Sequence, residues 1–444
     1  MKNTKLTMMM MLLIFLFGIN AFGQTCSNGQ INGIFHTSCY PWQTGDGTLS
    51  IPNGAGGTVT KNNDTPRLQR AIAAALGRLV LNEADYFIND SLTVYSYRTI
   101  VGTGRSPYLG TINPYYSNHP SSKIVQTANN KSIFKIGEGV SDVAIRDLSL
   151  VSGYNTSGTM GILAEGGGGT NQSSLLFQFS NLRISGFEKG IYVNATNNGE
   201  WQFDSVRLDH VYFEQCIRGV HINSYNSGWS VTNINLLVPA NGYGFYLQRS
   251  TYTSLSMLIG NGPSSGTPAK ALVYVQEHAN LSIQNTVAEG FEQDVHIDGN
   301  GVTGTGRNYP IYLTNNMFMN GITIKDSTVV STGNQFGFGF YDVLAIAKGA
   351  SQIYSLGDKF CFESVACETN KTYTLQDDAQ LIFGSNKYKT EIDTLKVGTR
   401  TYSYLGTPGN GTLYYCSDCQ QSSNCSTGGS GAMAKRINNA WVCN

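Results

Sequence analysis

Arg218 and His221 lie within one short stretch, Arg218-Gly219-Val220-His221-Ile222-Asn223. A guanidinium that neutralises a carboxylate, next to an imidazole that takes a proton, is a pairing suited to abstracting a proton beside an acid group. These two residues are the candidate catalytic pair. Around them stand Tyr192, Asn194, Asn223, Tyr246, Gln248, Tyr274, His296 and Asp298, the candidate substrate-binding residues. Aromatic faces stack on sugar rings, while amides and carboxylates bond hydroxyls. Lys189 and Lys270 hold places similar to Arg218. The simpler alternative is an ordinary exposed sheet whose basic residues pair with neighbouring acids.

Six stretches must position these groups. They are Gly161-Ile162-Leu163-Ala164-Glu165, Gly190-Ile191-Tyr192-Val193-Asn194, Gly219-Val220-His221-Ile222-Asn223, Gly244-Phe245-Tyr246-Leu247-Gln248, Leu272-Val273-Tyr274-Val275-Gln276 and Asp294-Val295-His296-Ile297-Asp298. Each alternates apolar and polar residues, the period of a half-buried strand. From Gly161 to Gly190 to Gly219 to Gly244 the steps are 29, 29 and 25 residues. An imperfect repeat of this length indicates stacked rungs. If Ile191 and Val193 point inward, one outward column reads Leu163, Tyr192, His221, Tyr246, Tyr274, His296. The column beside it reads Glu165, Asn194, Asn223, Gln248, Gln276, Asp298. Successive members would lie roughly 4.8 Å apart. A second pattern places corners at Asp147, Asn181, His210, Asn233, Asn285 and Asp326, where short polar side chains tolerate left-handed backbone. Gly- and Asn-rich loops after the first strand of several rungs should wall the strip.

The ends of the chain differ from its middle. Residues 1–23 have two lysines, an apolar run from Met8 to Phe17 and small residues at Ala21-Phe22-Gly23, the pattern of a cleaved export signal. Residues 24–60 form an irregular leader, 61–395 the repeating body and 396–444 a cysteine-rich module. Net charge is zero and 13% of residues are charged, which excludes an electrostatic footprint for nucleic acid. No later stretch is apolar enough to span a membrane. Export permits disulfides. Cys26 with Cys39, and Cys361 with Cys367, are local pairs. Cys416, Cys419, Cys425 and Cys443 make two disulfides or, less readily in an oxidising compartment, a zinc site. Cys216 is left as a buried thiol.

Thr65-Pro66 opens a helix whose apolar face is Leu68, Ala71, Ile72, Ala75 and Leu76, with Gly77 ending it. The run Asn63-Asp64-Thr65, Leu68-Gln69, Ala71-Ile72, Gly77, Leu79-Val80-Leu81, Ala84-Asp85-Tyr86-Phe87-Ile88 and Ile100-Val101-Gly102-Thr103-Gly104 resembles the opening of the pectate-lyase-like right-handed parallel β-helix superfamily. The resemblance covers residues 63–104. It implies an all-β solenoid with a short amino-terminal capping helix. That superfamily contains lyases, hydrolases, epimerases and phage tailspikes, so the resemblance leaves the activity open.

Two functional readings follow. One is an exported lyase that cleaves an acidic, uronate-containing polysaccharide by β-elimination, with Arg218 and His221 in the roles given above. The other is a non-catalytic glycan-binding or tailspike-like surface protein, with the carboxyl-terminal module serving in assembly. A hydrolase is disfavoured, because Glu165 and Asp298 are some five rungs apart and hydrolysis needs two close carboxylates. Calcium is a candidate cofactor, although no acidic cluster marks a site for it, and no residue is assigned to a metal. The partner is an extended polysaccharide. The reading stands or falls on whether Ile191, Val220, Phe245 and Val295 stack in one interior column of the coordinates.

Overall fold

The structure is a computed structural model. It describes residues 26–31, 34–52, 57–105, 121–152, 157–166, 173–195, 203–224, 228–299, 310–336, 345–348, 351–360, 373–375, 380–383, 399–400, 402–405, 407, 413–422 and 424–444. Among the described residues, thirty strands join in one continuous sheet that coils as a right-handed parallel β-helix. Each complete rung lays one strand on each of three faces. The first face carries Met160–Gly166, Lys189–Ala195, Arg218–Asn223 and Phe291–Asp298. The second carries Arg98–Val101, Phe203–Asp209 and Ile311–Thr314. The third carries Ser122–Gln126, Tyr212–Glu214 and Met317–Phe318. Longer strands such as Val143–Ser152 and Trp229–Leu237 turn the corner from the second face to the third.

The interior column forms as the alternation requires. Ile162, Ile191, Val220, Phe245, Val273 and Val295 are successive partners in parallel register, and all are buried. Ala164, Val193, Ile222, Leu247, Val275 and Ile297 make a second such column. Each fully buried branched or aromatic side chain contributes about 1.5–3 kcal/mol relative to exposure. The repeated glycine has a steric cause. A Cβ at Gly190 would lie 2.5 Å from the carbonyl oxygen of Gly219 and 2.8 Å from the Phe213 ring. Trp229 is core, with its indole N–H donating to the Phe203 carbonyl at 3.0 Å. Trp201 lies outside the described residues, as does most of the expected loop wall.

The corner residues are left-handed at every expected position, with φ between 49° and 59°. Register places Asp147, Asn181, His210, Asn233 and Asn285 in one column between the second and third faces. Met257 (φ 55°) fills the rung between Asn233 and Asn285, and Asn315, Gly333 and Gly357 continue the column. Asp326 is a correction: it follows the first-face strand Ile322–Lys325 and belongs to a different turn. One step inside this corner, Asn316, Asn334 and Asp358 form a buried ladder. Asn316 donates its side-chain N–H to Asn334 Oδ1 at 2.9 Å, and the Asn334 backbone N–H donates to Asp358 Oδ1 at 2.8 Å.

The helix Thr65–Ala74 buries Leu68, Ala71 and Ile72, with Ala75 just past its end. Its boundaries differ from the expectation. Asp64, not Thr65, occupies the N-cap, and its carboxylate accepts from the Phe87 backbone rather than from the helix. The chain leaves the helix at Ala75, so Leu76 is rotated off the apolar face and is 83% exposed.

At the other end, Thr399–Arg400, Leu413–Cys416, Ala432–Ile437 and Ala440–Cys443 make a separate four-stranded sheet. It is stapled by Cys416–Cys419 and Cys425–Cys443, and a third disulfide joins Cys26 to Cys39. The small core of this module is Leu405, Ala432, Ala434 and Trp441 around the four sulfurs, the situation in which crosslinks substitute for buried area. Cys361 and Cys367 lie outside the described residues, as does the expected export signal. Among the described residues no helix is long and apolar enough to cross a membrane.

Cys216 is buried and unbonded, and burial pushes its thiol up to about 12. Native protein should therefore resist thiol reagents. Unfolded, unreduced protein should titrate one thiol if Cys361 and Cys367 pair, and four more released with zinc would overturn the two terminal disulfides.

Candidate functional site

The first face brings the outward aromatic residues together as a continuous stack. Leu163, Tyr192, His221, Tyr246, Tyr274 and His296 are successive register partners. Tyr192 and His221 rings stack at 4.7 Å, His221 meets Tyr246 edge-on at 5.0 Å, Tyr246 stacks on Tyr274 at 4.7 Å, and Tyr274 meets His296 at 5.1 Å. The centroid spacing is the rung spacing, so parallel register alone imposes it. Leu163 at the head of the column is almost fully covered and adds no ring.

Tyr243 was not among the residues singled out from the sequence. It packs edge-on against Tyr246 at 5.0 Å and Tyr274 at 5.6 Å, which makes the aromatic surface two side chains wide there. Its signal was present: Tyr243 precedes Gly244 as Lys189 precedes Gly190 and Arg218 precedes Gly219. Register puts Lys189, Arg218 and Tyr243 in one row. Lys270 is outside that row, because Ala271 is the partner of Tyr243, and its ammonium pairs with Glu292 at 2.6 Å. Lys189 and Arg218 sit over rings, 4.4 Å from the centroids of Tyr192 and Tyr246, and Lys189 also pairs with Glu188 at 3.1 Å.

The amide column is broken. Glu165, Asn194 and Asn223 are in register, with Asn223 donating to Asn194 Oδ1 at 3.5 Å. An irregularity between Ile222 and Asn223 then sets Asn223 opposite Arg249, so Gln248 is not its register partner. Gln248 turns back toward His221 and also donates to Gln276 Oε1 at 3.5 Å. The acidic ends are neutralised: Glu165 pairs with Lys135 at 2.9 Å and Asp298 with Lys325 at 3.3 Å.

His221 is the most enclosed member, 4% exposed. Nε2 lies 2.8 Å from Gln248 Oε1, and Nδ1 lies 3.1 Å from an Arg218 nitrogen. A carbonyl oxygen can only accept and a guanidinium can only donate. The ring is thus neutral, with its proton on Nε2 and the Nδ1 lone pair turned to Arg218. Burial, reinforced by the positive charges of Arg218 and Lys189, lowers its pKa to about 4. Burial also raises the Tyr192 phenol, and takes Tyr274 up to about 12 with help from Tyr246. Both stay protonated hydrogen-bond donors at neutral pH.

This surface can stack sugar faces and neutralise an acid group with Arg218. Glu165 and Asp298 stand at opposite ends of the strip and cannot act as one hydrolytic pair. The groups of three or more potential metal ligands among the described residues all centre on the disulfide cysteines.

No protein-family model matches the chain, and no curated protein is recognisably similar to it in sequence. Solved structures resemble it in architecture. A tailspike of an Acinetobacter phage is 14% identical, with 85% of this chain and 72% of that one covered, at a TM-score of 0.49. The endo-xylogalacturonan hydrolase of Aspergillus tubingensis is 12% identical, with 75% and 94% covered, at 0.37. The mannuronan C-5 epimerase A-module of Azotobacter vinelandii is 12% identical, with 80% and 99% covered, at 0.35. At such identities and scores the likeness concerns the winding of a solenoid and carries nothing about chemistry.

The buried His221 gives a stability signature. The unfolded imidazole has its ordinary value of 6.5 and the folded one about 4, so between these the unfolded state binds more protons. Stability from this residue is fully present above pH 6.5 and falls as the pH drops toward 4, by up to about 3 kcal/mol. Denaturant unfolding of the parent and of His221→Gln across that range should show the difference between them shrinking with acidification. A constant difference would mean that the ring is not neutral and enclosed.

Proposed function

We propose that the protein is an exported glycan-binding β-helix that lays an extended, acidic polysaccharide along the aromatic column of its first face. The single observation that carries this is the five-ring stack Tyr192–His221–Tyr246–Tyr274–His296, flanked by the guanidinium of Arg218. The stacked tyrosine rings offer their outer edges to sugar C–H groups, with His221 enclosed between them. Arg218 and Lys189 meet carboxylates on one side, while Asn194, Asn223 and Gln248 meet hydroxyls on the other. His296 and Asp298 extend the strip at its far end. Three disulfides favour an oxidising compartment, in keeping with the amino-terminal export pattern.

Cleavage of that glycan by β-elimination is the second reading, and one contact favours it. Arg218 occupies the Nδ1 lone pair of a neutral His221 in the free protein. A substrate carboxylate that drew Arg218 to itself would release that lone pair as a base, so binding and activation would be one event. The low proton affinity of His221 makes it a weak base, which is why binding comes first.

The test is a screen of neutral and uronate-containing polysaccharides for binding and for new unsaturated ends. Tyr246→Ala should weaken binding by roughly 0.5–2 kcal/mol, the scale of one aromatic face. Arg218→Gln should remove the preference for acidic over neutral chains. Unsaturated ends that vanish in His221→Gln would establish the lyase. Variants that bind like the parent would place the ligand elsewhere.

A further inference from the structure

The corner column between the second and third faces holds a charged cluster remote from the aromatic strip. Its positions carry Asp, Asn or Gly except at two rungs, His210 and Met257. His210 adopts the left-handed backbone, φ 53°, with its side chain 61% exposed. Histidine, like Asn and Asp, is a residue type that populates this backbone region, and here its solvent-facing ring packs no core.

The neighbours of His210 are specific. Its Nδ1 lies 2.8 Å from Asp209 Oδ1, which also accepts from Asn233 Nδ2 at 3.0 Å. The ring proton is therefore on Nδ1, and Nε2 has no partner among the described residues. Arg105 donates from Nη1 to the His210 carbonyl at 3.2 Å, and Arg207 lies 3.8 Å from the other oxygen of Asp209. Arg146 precedes the same corner two rungs earlier, in register with Ser180 and then Asp209, and pairs with Asp147 at 4.0 Å. At the His210 rung, two guanidinium groups thus stand beside one carboxylate, Asp209. Arg105 has no carboxylate partner among the described residues.

We propose that Arg105, Arg207 and the His210–Asp209 pair form a second binding site, for a tetrahedral oxyanion group such as a sulfate or phosphate ester. Arg105 and Arg207 supply planar donors suited to such an anion. His210, anchored through Nδ1–H to Asp209, would present Nε2 as a third donor only in its cationic form.

The experiment uses the intact chain, its arginine and histidine side chains followed by NMR, with calorimetry in parallel. The probes are inorganic sulfate, inorganic phosphate, a sulfated oligosaccharide and its desulfated form, each at constant ionic strength in chloride. Sulfate or phosphate should shift the Arg105, Arg207 and His210 signals saturably. His210→Asn restores the residue type of the adjacent corners and should fold normally; it and Arg207→Gln should each weaken binding roughly tenfold or more. Arg146→Gln should bind like the parent. Tighter binding of the sulfated oligosaccharide than of inorganic sulfate, with none for the desulfated form, would assign an ester ligand; equal binding would assign the free ion. Shifts that never saturate, or variants that bind like the parent, overturn the site.

Discussion

Parallel register at a single rung spacing is the constraint on which the rest of this molecule depends. It forces each residue to sit on the equivalent residue of the next turn, so interior, surface and corner all become columns. Interior columns are filled by Ile, Val and Phe because they must pack against their own kind. The glycine column exists because one turn brings backbone within 2.5 Å of where a Cβ would be. The aromatic strip follows from the same rule: rings spaced by the rung have no choice but to stack or meet edge-on.

The rule also explains why polar groups can be enclosed here. Asn316 and Asn334 would each be costly alone in the core. Stacked, each satisfies the next, and the ladder ends on the buried carboxyl of Asp358, which also accepts from Ser355 at 2.7 Å. Burial raises the proton affinity of Asp358 despite these bonds. Asp294 shows the same balance: enclosed, it is held well above the ordinary carboxylate range while accepting from the backbone of Asn320 and Gly321.

Much of this architecture was legible in the sequence, because period-two alternation and a repeating glycine are local signals. The phase of Ile191 and Val193 settled which residues face out, and it held from Leu163 to His296. What was not legible depends on contacts across rungs. The irregularity after Ile222 has no signature in its own stretch, so Gln248 could not be seen to leave the amide column and turn to His221. Enclosure of His221 comes from the rings above and below it. A second left-handed column, Tyr97, Asp142, Leu176, Ser205, Gly228, Tyr252 and Asn280, passed unnoticed because Tyr, Leu and Ser seldom mark such turns. Asp326 was misplaced for the converse reason: the right residue type stood at another bend.

The break between Ile222 and Asn223 has one more consequence. A surface that repeats at every rung is the same wherever one stands on it, and a repetitive polymer laid along it could slide by one unit without penalty. A single dislocation ends that equivalence. The aromatic row runs through it in step, the amide row stops at Asn223, and the imidazole of His221 sits at the boundary. The fault therefore gives a translationally repetitive face an origin, a place from which position along the axis can be counted.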